Sequence, residues 1–167
     1  HIPLKDVAEK LNIDGIVDAI VLANQTLTRA GYDNPRIAVA ALNPHAGDGG
    51  AIGTEEIEII APAVEKAKLQ SIKVDGPFPS DTLYLKVRDG QFDCAVSMYH
   101  DQGHIPVKVY GFEESITANL GLPFIQTSVD HGTAFEIAGK GVACHESMLE
   151  SIRLAVSLAR GDRMSAF

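Results

Sequence analysis

The feature of this sequence that most constrains its fold is a glycine-rich loop at residues 42–53, which reads Leu-Asn-Pro-His-Ala-Gly-Asp-Gly-Gly-Ala-Ile-Gly. The apolar run at residues 36–42 is typical of a strand buried on both faces, and Thr54-Glu55-Glu56 is typical of a helix start. A strand, a glycine turn and a helix in this order place the turn at the carboxyl edge of a parallel sheet, where open α/β sheets bind ligands. The alternative is an ordinary connection with a solvated His45.

The same pattern returns later in the chain. Residues 71–76 and 92–99 are further strand candidates, and the second of them leads directly into His100-Asp101-Gln102-Gly103-His104. Helical patterns separate these strands, which predicts an α/β fold built on a parallel sheet. Because the carboxyl ends of parallel strands meet at one edge of the sheet, we expect His45 and His100 to lie at the same edge.

Several helices and two more strands are predicted from periodicity. The first long helix starts at Asn12, a candidate N-cap, and stops near Gly31. The last helix is predicted from about Glu146 to Arg160. Its buried side is expected to carry Met148, Leu149, Ile152 and Val156. Three acidic residues follow the glycine loop. We interpret them as partners of a helix dipole rather than as catalysts: Glu55, Glu56 and Glu58. The further strands are predicted at residues 116–119 and 124–129.

Composition narrows the class of partner. The chain has 167 residues, which predicts one domain over residues 1–167, with two small lobes as the alternative. Its formal net charge is −8. An acidic chain without a basic run is a poor partner for nucleic acid or an anionic membrane, so a small molecule is the expected partner. No apolar run is long enough to span a bilayer and no signal-peptide pattern opens the chain, so we expect a cytoplasmic protein. The abrupt start at His1 predicts a fragment whose amino-terminal part lies elsewhere.

Three histidines, His1, His45 and His100, stand beside loop or break signals rather than inside periodic helices. Imidazole suits Zn, Co, Ni or Fe, and an open coordination position would let a substrate oxygen bind and be polarised. We therefore predict a divalent-metal site on these residues. Structural or solvated histidines stay the alternative, because the sequence separations carry no local metal signature. Asp48 and Asp101 lie beside two of the histidines and are able to orient an imidazole or to move a proton.

The other polar residues carry weaker patterns. Lys108 is a candidate substrate contact or general acid, with a solvated helix lysine as the alternative, whereas His104 and His145 show no usable pattern. The glycine loop lacks the Gly-Lys-Ser/Thr ending of a P-loop, and no Gly-x-Gly-x-x-Gly opens a helix, so a Rossmann cofactor site is not predicted. Cys94 and Cys144 are far apart without CxxC spacing, which predicts buried free thiols.

A series of short motifs covers essentially the whole chain. In order, they are His1-Ile-Pro-Leu-Lys-Asp-Val7, Asn43-Pro-His-Ala-Gly-Asp-Gly-Gly50, Gly53-Thr-Glu-Glu56, Gly76-Pro77, Asp81-Thr82, Tyr99-His-Asp-Gln-Gly103, Gly121-Leu-Pro-Phe-Ile125 and Thr127-Ser-Val-Asp-His-Gly-Thr-Ala134. Together these motifs resemble the 4-hydroxythreonine-4-phosphate dehydrogenase family of vitamin B6 biosynthesis. They resemble only the carboxyl-terminal half of a family member.

This resemblance implies a homodimer with a three-layer α/β/α fold like that of isocitrate and isopropylmalate dehydrogenases. It also implies oxidation of a secondary alcohol by NAD or NADP, followed in the parent enzyme by decarboxylation. In this family, three histidines bind a divalent metal (Zn, Co, Mg or Mn) at the dimer interface. By motif, they correspond to His1, His45 and His100. Residues 131–141 resemble the nucleotide-binding loop of isopropylmalate dehydrogenases. This likeness assigns cofactor binding to Gly132, Thr133, Ala134, Phe135, Glu136 and Ile137.

Two positions depart from the family pattern. Among the residues assigned to substrate binding, Lys108 keeps the family's lysine, but Thr117 stands where the family has asparagine and Gln126 where it has arginine. An arginine is a bidentate partner for phosphate or carboxylate, and a neutral amide does not replace its charge. The expected substrate is a hydroxy acid like 4-hydroxythreonine-4-phosphate. Phosphorylated four-carbon sugar acids and cis-dihydrodiols of aromatic dicarboxylates are the alternatives.

The resulting hypothesis is a metal-dependent NAD(P) dehydrogenase in which Lys108 or Asp101 handles protons, with Lys108 preferred. The metal would bind the oxygens of the substrate and stabilise negative charge during hydride transfer. Two rivals stay open. One is a phosphate acyltransferase, which shares the broad fold and needs no histidine metal site. The other is a truncated chain that dimerises and binds metal or nucleotide without turnover.

Overall fold

The structure, a computed structural model, describes residues 1–161. The chain forms two compact units. The first contains His1–Thr28 and Tyr32–Pro106, and the second contains Arg29–Gly31 and the described residues from Val107 to Gly161. The expectation of a single domain over residues 1–167 stays a prediction. Within residues 1–161, no helix has both the length and the apolar character needed to cross a membrane.

The helices and strands agree largely with the predicted segments; β4 has the predicted limits, and the other strands are shorter than predicted. The strands are β1 (Ile37–Ala40), β2 (Val74–Phe78), β3 (Cys94–Val96), β4 (Ile116–Asn119) and β5 (Gln126–Val129). The α-helices are α1 (Val7–Lys10), α2 (Ile13–Arg29), α3 (Ala61–Lys68), α4 (Ser80–Arg88), α5 (His100–Gly111) and α6 (Glu146–Arg160). Short 3-10 segments lie at Leu4–Asp6 and Phe135–Ile137, a turn with left-handed residues lies within Pro44–Gly50, and a π-helical segment lies at Glu56–Ile60.

The first unit is built on a parallel sheet with the strand order β2-β1-β3. Ile37 of the central strand lies opposite Val74 on one side and Cys94 on the other. All four residues of β1 are fully buried, as its continuous apolar run predicted. The predicted parallel sheet is confirmed.

Helices cover both faces of this sheet. Ile37 and Val39 pack with apolar residues of α2 and α3, whereas Ala38 and Ala40 pack with Leu83 of α4. Alternate residues of a strand point to opposite faces, so these two clusters lie on opposite sides of the sheet. Full burial of one large aliphatic side chain such as Leu83 contributes roughly 1.5–3 kcal/mol to folding. The predicted three-layer α/β/α arrangement is confirmed in this unit.

The helix α2 begins and ends as predicted. Asn12 Oδ1 accepts a hydrogen bond from the backbone N–H of Gly15 at 2.8 Å, which is the N-cap interaction. At the other end Gly31 has a φ of 82°, a left-handed conformation that glycine adopts without steric cost.

The second unit contains the antiparallel pair β4–β5 with α6 packed on it. Ile116 pairs with Val129 at one end of the pair, and Asn119 pairs with Gln126 at the other. Serines on α6 hold the helix to the strands. The bonds are Ser147 Oγ to Ser115 O (2.8 Å), Thr127 Oγ1 to Ser151 O (2.9 Å) and Ser151 Oγ to Thr127 Oγ1 (3.1 Å).

The predicted buried face of α6 is wrong, although its limits are confirmed. Ser147 and Ser151 are the buried residues, whereas Met148, Ile152 and Val156 are between 43% and 54% exposed. The small serines allow close approach to the strands and satisfy polar groups there. An apolar stripe shows which face of a helix is hydrophobic, but it does not show which face packs against the strands of the same unit.

The two cysteines are free and differ in environment. Cys94 lies partly buried at the start of β3, and desolvation raises the pKa of its thiol to about 11, with a further contribution from the charge of Asp93. Cys144 is exposed. The prediction of buried thiols is therefore wrong for Cys144, which lies in the loop before α6 and contributes to no core.

Candidate functional site

One buried side chain, Gln102, joins the chain segments that follow all three parallel strands. It is only 8% exposed. Its Nε2 donates to Ala41 O at 2.6 Å and to Ser80 Oγ at 2.8 Å, and its Oε1 accepts from Met98 N at 2.6 Å. These partners follow β1, β2 and β3 respectively, so the carboxyl edge of the sheet is one hydrogen-bonded surface.

The glycine loop after β1 contains a left-handed turn. Its φ angles are 54° at His45, 54° at Ala46, 78° at Gly47, 45° at Asp48 and 65° at Gly49. The left-handed conformation costs a residue with a Cβ about 1–2 kcal/mol, and it persists where the surrounding structure holds it. The exposed imidazole of His45 lies at the start of this turn, on the predicted sheet edge.

Glu56 holds the loop in place. Its side chain is 3% exposed, and its Oε1 accepts from Leu42 N at 2.8 Å and from Asn43 N at 2.7 Å. Its Oε2 accepts from Asn43 Nδ2 at 3.0 Å. A Cβ added at Gly47 would lie 2.7 Å from this carboxylate, so glycine is required there. The interpretation of Glu56 as a dipole partner leaves out its main contacts, because three donors of the preceding segment surround its buried carboxylate.

Glu55 has a related role nearby. Its Oε2 accepts from Asn43 Nδ2 at 2.6 Å. Its own backbone N–H and this amide hold the pKa of the Glu55 carboxyl below its usual value. A group with a lowered folded pKa stabilises the fold at neutral pH, and this stabilisation is lost as the pH falls through that value. Acid is therefore expected to loosen the loop.

The substitution Ala46→Gly is expected to raise the free energy of unfolding by about 0.5–1 kcal/mol. Glycine removes the left-handed penalty at this position, and its greater freedom in the unfolded chain offsets only part of the gain. Urea denaturation measures the change. The matched control Ala38→Gly, in buried β1, is expected to destabilise by about 1–2 kcal/mol. A loss of stability in the first variant would show that the turn carries no such strain.

A cavity of ≈ 460 Å³ in the first unit contains two of the predicted metal ligands. Its apolar walls come from the amino-terminal segment, and His100 and Asp101 lie at its other side. Pockets of this size with few convergent polar groups are typical of small-molecule sites. Its lining includes His1, Val7, Lys10, Met98, His100 and Asp101.

His100 is the centre of this polar cluster. Its Nδ1 is 2.7 Å from Asp101 Oδ1, and because a carboxylate only accepts, Nδ1 carries the proton and Nε2 is the basic nitrogen. The ring centroid of His1 lies 4.6 Å away at an interplanar angle of 48°. The ring of His104 stacks on the ring of His100, with centroids 4.1 Å apart and an angle of 15°.

The spacing of the His1 and His100 rings is compatible with two imidazoles bound to one divalent ion. With metal–nitrogen bonds of about 2.1 Å, two imidazoles on one tetrahedral ion have centroids roughly 5 Å apart, close to the separation found here. The bond from Asp101 also matches the carboxylate–histidine arrangement that orients metal ligands. Among residues 1–161, however, no group of three His, Cys, Asp or Glu side chains gathers closely enough to hold an ion. The structure thus brings together two of the three predicted ligands.

The second unit contains a separate polar cluster around Asp130, whose side chain is 9% exposed. Lys108 Nζ donates to Asp130 O at 3.1 Å and lies 3.5 Å from Asp130 Oδ2. Ser115 Oγ and Thr117 Oγ1 donate to the two carboxylate oxygens at 3.2 and 3.3 Å. The ammonium group of Lys108 is therefore bound to Asp130 rather than surrounded by solvent alone, and Thr117 contacts the same carboxylate.

The remaining predicted residues lie on exposed parts of the second unit. Gln126 is exposed at the start of β5. In the predicted nucleotide loop, Ala134 has a φ of 47° and precedes the 3-10 turn Phe135–Ile137. Ala134 and Ile137 are partly buried, whereas Gly132, Thr133, Phe135 and Glu136 are exposed.

Four residues that organise these clusters carried no predicted role there: Glu56, Gln102, His104 and Asp130. The prediction that His104 shows no usable pattern is wrong, because His100 and His104 are four residues apart and so share one face of a helix. Met98 precedes Gln102 by four residues, but the other partners of Glu56 and Gln102 lie 13 to 61 residues away in the chain. Only the fold brings such partners together.

The fold and these clusters define an α/β protein with a pocket at the carboxyl edge of a parallel sheet, lined by histidine and aspartate. Comparison with known families narrows this class. The chain belongs to the family described as pyridoxal phosphate biosynthetic protein PdxA, which it matches over residues 1–155. The family predicted from the motifs is confirmed.

The relatives are similar along nearly the whole chain. The D-threonate 4-phosphate dehydrogenase of Pectobacterium atrosepticum is 52% identical over 95% of this chain and 49% of its own length. The 4-hydroxythreonine-4-phosphate dehydrogenase of Desulforapulum autotrophicum is 51% identical over 93% of this chain and 46% of its own. A crystal structure of 4-hydroxythreonine-4-phosphate dehydrogenase from Klebsiella pneumoniae superposes with a TM-score of 0.87 at 50% identity, over 95% of this chain and 48% of that one. The chain thus spans about half the length of the relatives it matches.

Proposed function

We propose that the protein is a metal-dependent NAD(P) dehydrogenase that oxidises a secondary alcohol of a small phosphorylated hydroxy acid. The observation that carries this proposal is family membership, because relatives about half identical over nearly the whole chain are named dehydrogenases of 4-hydroxythreonine-4-phosphate and of D-threonate 4-phosphate. A pocket lined by two adjacent imidazoles supports it.

His1, His45 and His100 are the proposed ligands of a divalent metal at an interface between two copies of the chain. The spacing of the His1 and His100 rings supports this assignment. Asp101 would keep the His100 ring in the tautomer that presents Nε2 to the metal. When bound, the metal would polarise substrate oxygens and stabilise developing negative charge, in the oxidation and in any decarboxylation that follows.

Lys108 is the proposed acid and base of the reaction. Asp130 holds its ammonium group through two contacts, one to the backbone carbonyl oxygen at 3.1 Å and one to the carboxylate at 3.5 Å. An ammonium has three donor positions, so one position is left for a substrate oxygen. Asp101, already bound to His100, is better suited to orienting that ring than to moving protons itself.

Residues 132–137 are the proposed contact with NAD or NADP. The left-handed Ala134 and the turn after it expose backbone groups of a glycine-containing loop, which suits a polar ligand such as a nucleotide. The choice between the two cofactors would be measured with each in turn, by formation of the reduced nicotinamide.

The same assay would choose the substrate. The family's arginine is replaced here by the neutral Gln126, so this position does not select 4-hydroxythreonine-4-phosphate by its charge. We therefore propose both D-threonate 4-phosphate and 4-hydroxythreonine-4-phosphate as candidate substrates, with an aromatic cis-dihydrodiol as the comparison. Reduction of NAD(P) with one of the phosphorylated acids supports the proposal. Retained metal binding without turnover of any of the three would favour a non-enzymatic chain.

The substitutions His45→Ala and His100→Ala are expected to remove most of the metal bound by the purified protein, because each deletes one proposed ligand. Metal analysis after gel filtration measures the loss. His145→Ala is the matched control, because His145 is exposed and paired with Glu146 outside the proposed site. Unchanged metal content in both variants would refute the ligand assignment.

A further inference from the structure

We infer that His104 is a positioning residue that holds the ring of His100 in the plane needed for metal binding. This inference rests on the proposed function, in which His100 is a metal ligand. The ring of His104 lies face to face with that of His100, with centroids 4.1 Å apart and planes 15° from parallel. His104 is partly buried, whereas the His100 side chain is 39% exposed. The more buried ring of His104 therefore packs against one face of the more exposed ring of His100.

The geometry separates this role from that of a fourth ligand. A ring nitrogen binds metal along a lone pair that lies in the plane of its ring. In two nearly parallel stacked rings these directions do not converge on one ion at bond distance. The ring of His1 is tilted by 48° relative to that of His100, so parallel ring planes do not prevent lone pairs of these two rings from converging on one ion.

The helix explains why the stack forms. His100 and His104 are one turn apart in α5, so their side chains lie one above the other on the same face. A Cβ at Gly103 would lie 2.8 Å from Ser97 Oγ, which shows how closely this turn packs against the end of β3. The backbone that carries His104 is thus fixed in place.

Three contacts together restrict the His100 ring. Asp101 holds Nδ1, His104 covers one face, and His1 lies beside the ring. A ligand fixed in the productive orientation binds metal more tightly than one that must first be ordered. Loss of an outer partner of a metal ligand typically weakens metal affinity about 10–100-fold.

The test is titration of the 167-residue chain with Co²⁺, followed by its visible absorption, in three variants. His104→Phe keeps a flat ring without nitrogen, His104→Asn keeps polar groups without a ring, and His104→Ala keeps neither. Affinity is expected to stay within about threefold of the parent in the first, and to fall about 10-fold or more with an altered Co²⁺ spectrum in the other two. Equal affinity in all three, or loss in the phenylalanine variant with retention in the asparagine variant, would overturn the inference.

Nuclear magnetic resonance of the metal-free protein keeps this test separate from the proposed function. Stacking displaces the His100 ring-proton signals, and this displacement is expected to persist with His104→Phe and to disappear with His104→Asn. If the parent chain binds no Co²⁺, the ligand assignment fails by itself. The ring-proton signals then still decide the positioning role, and unchanged signals in the asparagine variant would reject it.

Discussion

Replacing Gln102 by leucine is expected to lower the free energy of unfolding by roughly 2–4 kcal/mol. Leucine has a similar size, so the core keeps its packing but loses all three hydrogen bonds of the amide. The backbone N–H of Met98 would be left without its acceptor, and Ala41 O would lose the bond from Gln102 but keep the one from Ser80 Oγ at 3.1 Å. Urea denaturation measures the loss. The exposed Gln70 provides the control, because Gln70→Leu should change stability by less than about 0.5 kcal/mol.

The substitution Gln102→Glu tests the direction of these bonds at nearly constant shape. It replaces the donor that faces Ala41 O at 2.6 Å by an oxygen, which favours a protonated carboxyl and raises the pKa of the new side chain. A folded state with a raised carboxyl pKa binds more protons than the unfolded state, so the variant loses stability as the pH rises through that window. Equal destabilisation at acidic and neutral pH would contradict this account of the bonds.

Replacing Glu56 by alanine is expected to cost roughly 3–5 kcal/mol, because hydrogen bonds to a charged acceptor contribute about 1.5–3 kcal/mol each. The backbone N–H groups of Leu42 and Asn43 would both lose their acceptor where β1 meets the glycine loop. The left-handed turn that carries His45 would lose its main support. Co²⁺ affinity should therefore fall as well, under conditions in which the variant is still folded.

Two variants sharpen the Glu56 experiment. Glu58 lies on the same π-helical segment but is exposed, so Glu58→Ala should change stability by less than about 0.5 kcal/mol. Glu56→Gln keeps one carbonyl oxygen for the two backbone donors and should lose only about 1–2 kcal/mol. If the alanine variants at positions 56 and 58 had equal stability, the loop would not depend on the buried carboxylate.

Much of the first unit was predictable because its signals are local. The apolar run of β1 showed that the strand is buried on both faces, and Asn12 and Gly31 marked the ends of α2. The positions of His45 and His100 after two adjacent parallel strands followed from the order of elements. The proximity of His1 to His100 followed from the predicted metal site and from the family resemblance, because no local pattern relates residues so far apart.

The second unit shows where such signals end. The limits of α6 were predicted correctly, but Ser147 and Ser151 face the strands in place of the apolar stripe. Hydrophobic periodicity shows which residues share a face of a helix, but not which face packs against its neighbours. The choice between faces depends on the shape and polar groups of the neighbouring strands, which only packing provides.

Composition and periodicity alone were enough to specify the α/β class, the parallel sheet and the strand ends that carry histidine, because each of these depends on residues close together in the chain. The tertiary structure was needed to show that Glu56 and Gln102 hold the sheet edge, that Asp130 holds Lys108 and that His104 stacks on His100. A side chain's role depends on the partners it meets. Most of these partners are distant in sequence and come within hydrogen-bonding distance only when the chain is folded.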